Sequence, residues 1–256
     1  MDGELSGKIA LVTGGAGDIG RAAALHLAQL GATVVAADLR PSDPVHNGHD
    51  SGGNGQTLPC LEVDVRQRAS VVQMFTRLEE TWGVPHIVLC NAGVVHNAHF
   101  LDVEVEHWEQ TLAVNLTGSF HIAQEAARRM VAKSIPGKIV LTGSWVQDIP
   151  WADGSSYCTS KAGLKMLARC MARDLAPHGI RVNVVAPGIV DAGLSRQVME
   201  ADPLFRQRSA RVIPLRELQT VEQVAQAIAW VCLPASDYMT GATLLVDGGC
   251  SLFYFE

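Results

Sequence analysis

Residues 9 to 30 constrain this chain more than any other stretch. Ile9-Ala-Leu-Val-Thr13 is a short apolar run of strand type, Gly14-Gly-Ala-Gly17-Asp18-Ile19-Gly20 is a glycine turn, and Arg21 to Leu30 has helical composition and spacing. A strand that feeds a helix through glycines lets backbone N–H groups approach a pyrophosphate at the helix N-terminus. The context gives the glycines their meaning, because a bare G-x-G recurs widely. Gly31 stands where a helix should end. Thr33 to Asp38 then reads as a second strand closing on an acid. A carboxylate at that distance from the glycine turn accepts hydrogen bonds from adenosine ribose hydroxyls and repels a 2′-phosphate, which favours NAD over NADP. Arg40 is the counter-argument, since a guanidinium welcomes a phosphate.

The same rhythm continues to the end of the chain. Strand-type runs at Leu58–Val65, His86–Cys90, Lys138–Thr142, Ile180–Val185 and Thr243–Asp247 alternate with helical stretches at Arg66–Trp82, Val103–Val131, Ser155–Pro177 and Val221–Leu233. In Arg66–Trp82 the apolar positions Val71, Val72, Phe75 and Leu78 keep helical spacing. Alternation of this kind predicts an α/β fold, a single Rossmann-type doubly wound parallel sheet with helices on both faces. No repeat or linker divides residues 1–256, so one dinucleotide-binding and catalytic domain is expected. Asp191 to Leu218, polar and rich in Arg, is expected as a small lobe inserted over the site. Pro41 to Gly55, rich in Pro, Gly, Asn, Asp and His, reads as an exposed loop.

Bulk properties narrow the function. The chain has 256 residues, a net charge of −6 and no basic block, which argues against a nucleic-acid partner. The N-terminal residues show no apolar signal region, and no run of 18 apolar residues predicts a membrane span. Cys60, Cys90, Cys158, Cys170, Cys232 and Cys250 include no C-x-x-C pair, so they read as free thiols of a reducing, cytoplasmic setting. The pairs His46/His49 and His96/His99 have no Cys or carboxylate cluster at ligand spacing beside them, and no metal site is expected.

One pair carries chemistry. Tyr157 and Lys161 lie four residues apart, one helical turn on one face. An ammonium beside a phenol favours the phenolate and is expected to lower the Tyr157 pKa towards a useful base. Ser144, at the end of the fifth strand, offers a hydroxyl for a substrate oxygen. A surface Tyr and Lys that merely share a helix face would give the same spacing.

Taken together, Thr13-Gly14…Gly20, Asp38, Asp64, Asn91-Ala92-Gly93, Asn115, Ser144, Tyr157-x-x-x-Lys161 and Pro187-Gly188 resemble the short-chain dehydrogenase/reductase family over essentially the whole chain. The resemblance implies a catalytic tetrad of Asn115, Ser144, Tyr157 and Lys161. Tyr157 would exchange the alcohol proton and Ser144 would orient the substrate oxygen. Lys161 would hold the nicotinamide ribose, and Asn115 would position a relay water. It implies a dinucleotide path along Gly14, Gly17, Asp18, Ile19, Gly20, Asp38, Asp64, Val65, Asn91, Ala92, Gly93, Tyr157, Lys161, Pro187, Gly188 and Val190, with NAD as cofactor. Family members are usually tetramers, and the stripe Leu164, Leu167, Met171 is a candidate subunit face.

Four features depart from the family pattern. Asp18 replaces a glycine and is expected to cap its helix. Cys90 replaces an Asn, Ala192 replaces a Thr that helps hold the carboxamide, and no convincing helix joins the second and third strands. The Ile149-Pro150-Trp151 piece looks like the corresponding loop of bacterial glucose 1-dehydrogenases in this family. Ser144, Tyr157, Gln147 and Trp151 are therefore expected substrate contacts, for a sugar, polyol or cyclic secondary alcohol. The alternatives are a 3-oxoacyl carrier-protein reductase using NADPH, kept open by Arg206, Arg208, Arg211 and Arg216, and a nucleotide-sensing module without catalysis.

Overall fold

The computed structural model describes residues 3–41, 57–193, 195–196 and 203–252. Seven parallel strands form one sheet in the order β3-β2-β1-β4-β5-β6-β7. They are β1 Ile9–Thr13, β2 Thr33–Asp38, β3 Cys60–Glu62, β4 Ile87–Cys90, β5 Gly137–Thr142, β6 Ile180–Pro187 and β7 Thr243–Val246. A parallel sheet needs helical crossovers, so both its faces are covered and its strands are apolar on both sides. Alternate residues along each strand go to opposite cores. Leu11, Val35, Val88 and Ile139 join the cluster beneath α2 (Arg68–Thr81), α4 (Ser119–Ala132) and α5 (Ser155–Leu175). Their neighbours Ala10, Val34, Leu89 and Val140 join the cluster beneath α1 (Asp18–Gln29) and α6 (Val221–Cys232). A polar residue at any of these positions would be buried whichever face it took.

Several expected boundaries shift. The first helix begins at Asp18, not Arg21, because Gly17 takes extended backbone (φ −76°, ψ 161°) and serves as its N-cap. The third strand shrinks from the expected Leu58–Val65 to three residues at the sheet edge. The stretch expected as one or two helices is α3 (Val105–Leu112), a π-helical turn over Ala113–Gly118, and then α4. Such turns are rare and concentrate at functional sites. Helix α6 starts at a capping box in which Thr220 Oγ1 accepts from Gln223 N at 3.2 Å, and Gln223 Oε1 accepts from Thr220 N at 2.9 Å. In the Arg-rich segment a further helix runs over Pro203–Val212.

Charged groups fasten the α2–α4 face. Glu125, buried on α4, accepts from Arg68 of α2 at 2.8 Å and from Arg129 at 2.9 Å. Arg129 also reaches Glu79 of α2 at 2.6 Å. A buried carboxylate needs such partners, because leaving it unpaired costs several kcal/mol.

All six cysteines are free: Cys90, Cys232 and Cys250 are buried, Cys60 and Cys158 half-buried, Cys170 exposed. No helix among the described residues is long and apolar enough to cross a membrane.

Candidate active site

In an open parallel sheet a ligand crevice forms at the carboxyl ends of the strands, where the strand order reverses. Here that point lies between β1 and β4, and side chains stitch the strand ends together. Thr13 Oγ1 donates to Leu89 O at 3.1 Å and accepts from Asn91 N at 3.0 Å. Asn91 Nδ2 donates to the carbonyls of Thr13 and Gly14 at 3.2 and 3.3 Å, and its Oδ1 accepts from Thr142 at 3.1 Å. The chain comes very close to itself here. A Cβ on Gly20 would lie 2.1 Å from Gly14 O, and Gly14 itself has φ +65° with Ala92 Cα only 2.9 Å from any Cβ. Only glycine fits at either position.

Above these ends opens a cleft of about 510 Å3, a size that suits a cofactor. Every residue expected on the dinucleotide path lines it, from Gly14, Gly17, Asp18, Ile19 and Gly20 through Asp38, Asp64, Val65 and Asn91-Ala92-Gly93 to Tyr157, Lys161, Pro187, Gly188 and Val190. The first N–H groups of α1 have no intrahelical acceptor, and with the helix dipole they make an anion seat. Asp38 accepts from Ala16 N at 3.1 Å through Oδ2, which fixes its carboxylate between β2 and the glycine turn. Asp64 is gripped through both oxygens by Arg66, at 2.9 and 2.7 Å, and the guanidinium holds its carboxyl below the usual range.

Sequence reasoning missed part of the lining. Leu39, Arg66 and Val114 neighbour expected residues, and their placement follows from them. Gln110, Gly193 and Ser195 come from other turns of the fold and carry no local signal.

At the inner end of the cleft α5 brings Tyr157 and Lys161 against Ser144. The expected electrostatics are reversed. Lys161, only 4% exposed, directs Nζ to Thr142 O at 2.7 Å and lies 5.4 Å from the centre of the Tyr157 ring. Burial pulls the ammonium down to about 8. Burial likewise raises Tyr157 to about 12, against a hydrogen bond with Ser144 that pulls it down. Desolvation is thus the largest cause of both shifts.

Asn115 is fully buried in the π turn. Its Oδ1 accepts from Val94 N at 2.8 Å, and its Nδ2 donates to Val94 O at 2.9 Å and to Ser160 Oγ at 3.1 Å. Ser160 Oγ donates in turn to Tyr157 O at 2.7 Å. Both amide hydrogens are committed, so this side chain has no donor left for a relay water. It clamps the Val94 wall to the turn of α5 that carries Tyr157.

Beyond Ser144 and Tyr157 lies a recess of about 120 Å3, and these two residues line both cavities. Trp151 forms part of its wall and meets Trp145 edge-on, with ring centres 5.1 Å apart. Asn97 and Ser195 add polar groups. Gln147, an expected substrate contact, is buried at 6% exposure off the lining, its Oε1 close over Gly143. Neither its Nε2 nor its Oε1 has a hydrogen-bond partner among the described residues.

Other expectations resolve as follows. Asp18 does not cap α1; its Oδ2 accepts from Gly193 N at 2.8 Å. Cys90 makes a long contact of 3.8 Å to Ser119 O, and Asn91 and Thr13 carry the strand-end bonds instead. Ala192 is buried on the cleft, with its N–H bonded to Val190 O at 2.9 Å. Of the stripe read as a candidate subunit face, Leu164 is core, Met171 packs against the core and Leu167 is half-buried outside it; Phe120 and Val131 of α4 and Met166 of α5 are exposed apolar residues. His96 stacks on His107 at 4.3 Å, while His46 and His49 lie outside the described residues. No group of three potential metal ligands occurs among the described residues.

A family model described as Enoyl-(Acyl carrier protein) reductase matches residues 14–251. The chain is 32% identical to 3beta-hydroxysteroid dehydrogenase 1 of Eggerthella lenta, over 99% of this chain and 97% of that one. It is 32% identical to the 3-oxoacyl-[acyl-carrier-protein] reductase FabG of Pseudomonas aeruginosa, covering 96% and 98%. Identity to Glucose 1-dehydrogenase 2 of Bacillus subtilis is 32%, covering 98% and 97%. Among solved structures, a short-chain type dehydrogenase/reductase from Mycobacterium marinum superposes with a TM-score of 0.86 at 35% identity, over 96% of both chains. A structure described as a 2-deoxy-D-gluconate 3-dehydrogenase from Agrobacterium tumefaciens, with bound NADP, has a TM-score of 0.85 at 29% identity, covering 97% and 98%.

Proposed function

Because the chain belongs to the short-chain dehydrogenase/reductase family of oxidoreductases, we propose that it transfers a hydride between NAD(H) and a secondary alcohol or its ketone. One observation carries this reading: Ser144 and Tyr157 line both the long cleft and the recess beyond it, so they stand where cofactor and substrate would meet. When bound, the nicotinamide supplies the hydride acceptor or donor. Ser144 holds the substrate oxygen, and Tyr157 takes the alcohol proton in oxidation or returns it in reduction. Lys161 holds the nicotinamide ribose from the cleft side of α5. Asn115 is a positioning residue that keeps Val94 and Tyr157 in register. The glycine turn and the N-terminus of α1 seat the diphosphate, and Asp64 with Val65 borders the adenine end.

Asp38 supports NAD. Its carboxylate stands at the end of β2, where an adenosine ribose would lie, and a 2′-phosphate there would face a fixed negative charge. A sugar, polyol or cyclic secondary alcohol is the substrate class. Trp151 offers a ring face in the recess, and Asn97 and Ser195 offer hydrogen bonds. The whole chain acts as one catalytic unit; of the lobe expected over 191–218, Ala192, Gly193 and Ser195 line the cleft, and residues 194 and 197–202 lie outside the described residues. It is assigned to the cytoplasm as a homotetramer, for which the exposed Phe120 and Met166 provide apolar surface.

A second reading, reduction of a 3-oxoacyl carrier-protein thioester with NADPH, has the FabG relative in its favour. Of the four Arg residues that would dock an acidic carrier, Arg211 and Arg216 are exposed, and the side chains of Arg206 and Arg208 lie outside the described residues.

The deciding experiment is a panel of sugars, polyols, cyclic alcohols, ketones and a 3-oxoacyl thioester, each assayed with both nicotinamide cofactors. Turnover of a secondary alcohol with NAD is the expected result, and Tyr157→Phe should lower it by about 10²-fold or more. Strong NADPH-linked reduction of the thioester would favour the second reading. No turnover in either wild type or Tyr157→Phe would leave a nucleotide-sensing module.

A further inference from the structure

One hydrogen bond crosses the cleft between segments 175 residues apart. Asp18, the first residue of α1, accepts from Gly193 N at 2.8 Å, and both residues line the long cleft. Gly193 belongs to the segment that leaves β6, and its φ of +48° lies in the left-handed region. The same segment delivers Ser195, which lines both the long cleft and the recess. On its own side of the cleft the segment is tied to Gln219. Gly188 N donates to Gln219 Oε1 at 3.0 Å, and Asp191 N donates to Gln219 O at 2.8 Å.

A carboxylate in the first turn of a helix is stabilised by the helix dipole, and an N–H···O⁻ bond is roughly twice as strong as a neutral one. The geometry points to a role for Asp18 that the glycine usual at this place cannot fill. We infer that Asp18 is a positioning residue: it straps the segment after β6 to the glycine turn and so holds Ser195 at the junction of the two cavities before any ligand arrives. The strap closes over the end of the cleft that the anion seat marks. Its consequence for turnover rests on the proposed dehydrogenase reading; the strap itself does not.

The test compares variants of equal charge. Asp18→Asn keeps an acceptor oxygen, while Asp18→Ala has none. Hydrogen exchange is measured on the ligand-free full chain, in peptides covering residues 189–196. The Gly193 amide is expected to exchange about 5- to 10-fold faster in Asp18→Ala than in wild type, the worth of one hydrogen bond. Asp18→Asn, whose neutral oxygen makes the weaker bond, should restore part of that protection. NADH dissociation followed by fluorescence should be faster from the alanine variant than from the asparagine variant by a similar factor. Equal exchange in wild type and alanine variant, or asparagine behaving like alanine, overturns the strap. If the alanine variant does not fold, Asp18→Gly supplies a second chain without the acceptor. Should the wild type turn over no alcohol at all, the function falls while the exchange result still decides the strap.

Discussion

Lys161→Met should make the ligand-free protein more stable while destroying its activity. In the fold the Lys161 ammonium falls from its ordinary 10.5 to about 8 through burial. That difference corresponds to about 3 kcal/mol against the charged form at neutral pH. Methionine has a similar reach and no charge. Its introduction removes the bond from Nζ to Thr142 O, which returns about 1–2 kcal/mol to the cost side. The net gain at pH 7 is about 1–2 kcal/mol, or roughly 2–8 °C in Tm for a chain of this length.

The pH dependence gives the sharper test. Because the folded-state pKa is lowered, the unfolded chain binds the proton more tightly, and the penalty is fully present below pH 8. It disappears as pH rises from about 8 to 10.5. The wild type should therefore gain on the variant by about 2–3 kcal/mol between pH 7 and pH 10, and the variant's advantage should vanish or reverse. Urea unfolding of both proteins at fixed concentration across this range measures the difference, in which pH effects common to both cancel. A difference that stays flat with pH would mean that the ammonium is not desolvated, and the reasoning would fail.

Three further outcomes follow from the site. Tyr157→Phe should keep the fold and lower kcat by about 10²-fold or more; with the phenol raised to about 12, wild-type kcat/KM for oxidation should climb with pH from 6 to 9, and a flat profile would count against Tyr157 as the base. Asp38→Asn, which retains an acceptor for Ala16 N, should raise kcat/KM with NADP by about 10-fold relative to NAD, as the loss of one carboxylate facing a phosphate implies. Asn115→Ala leaves Val94 N, Val94 O and Ser160 Oγ without their partner, and urea unfolding should show a loss of about 2–4 kcal/mol.

Much of the sheet was legible because a parallel strand is buried on both faces. Ile9–Thr13 and Thr33–Asp38 read as unbroken apolar runs, and the structure bounds both strands at those residues. The lining of the cleft was legible for a related reason: ligand crevices gather at strand ends, and Gly14, Asn91 and Pro187 all follow such runs. The start of α1 was not, since Gly17 and Gly20 look like turn residues although Gly20 is already helical. Nor was the π turn around Asn115, because a single wide turn imposes no period on the residues it contains. The sign of the Tyr157 shift also escaped. Spacing places Lys161 beside the ring, but the direction of Nζ is set by the carbonyl of Thr142, on another element. The partner of Asp18 sits 175 positions away, beyond the reach of any local pattern.

The grip of Arg68 and Arg129 on Glu125 has a mechanical corollary. It locks two helices into a stiff plate, and α5 packs on the same face of the sheet with Tyr157 at its head. The reacting hydroxyls therefore ride on a rigid frame, and across from them the backbone leaving β6 is itself held at Gly188, whose N–H donates to Val246 O and Gln219 Oε1.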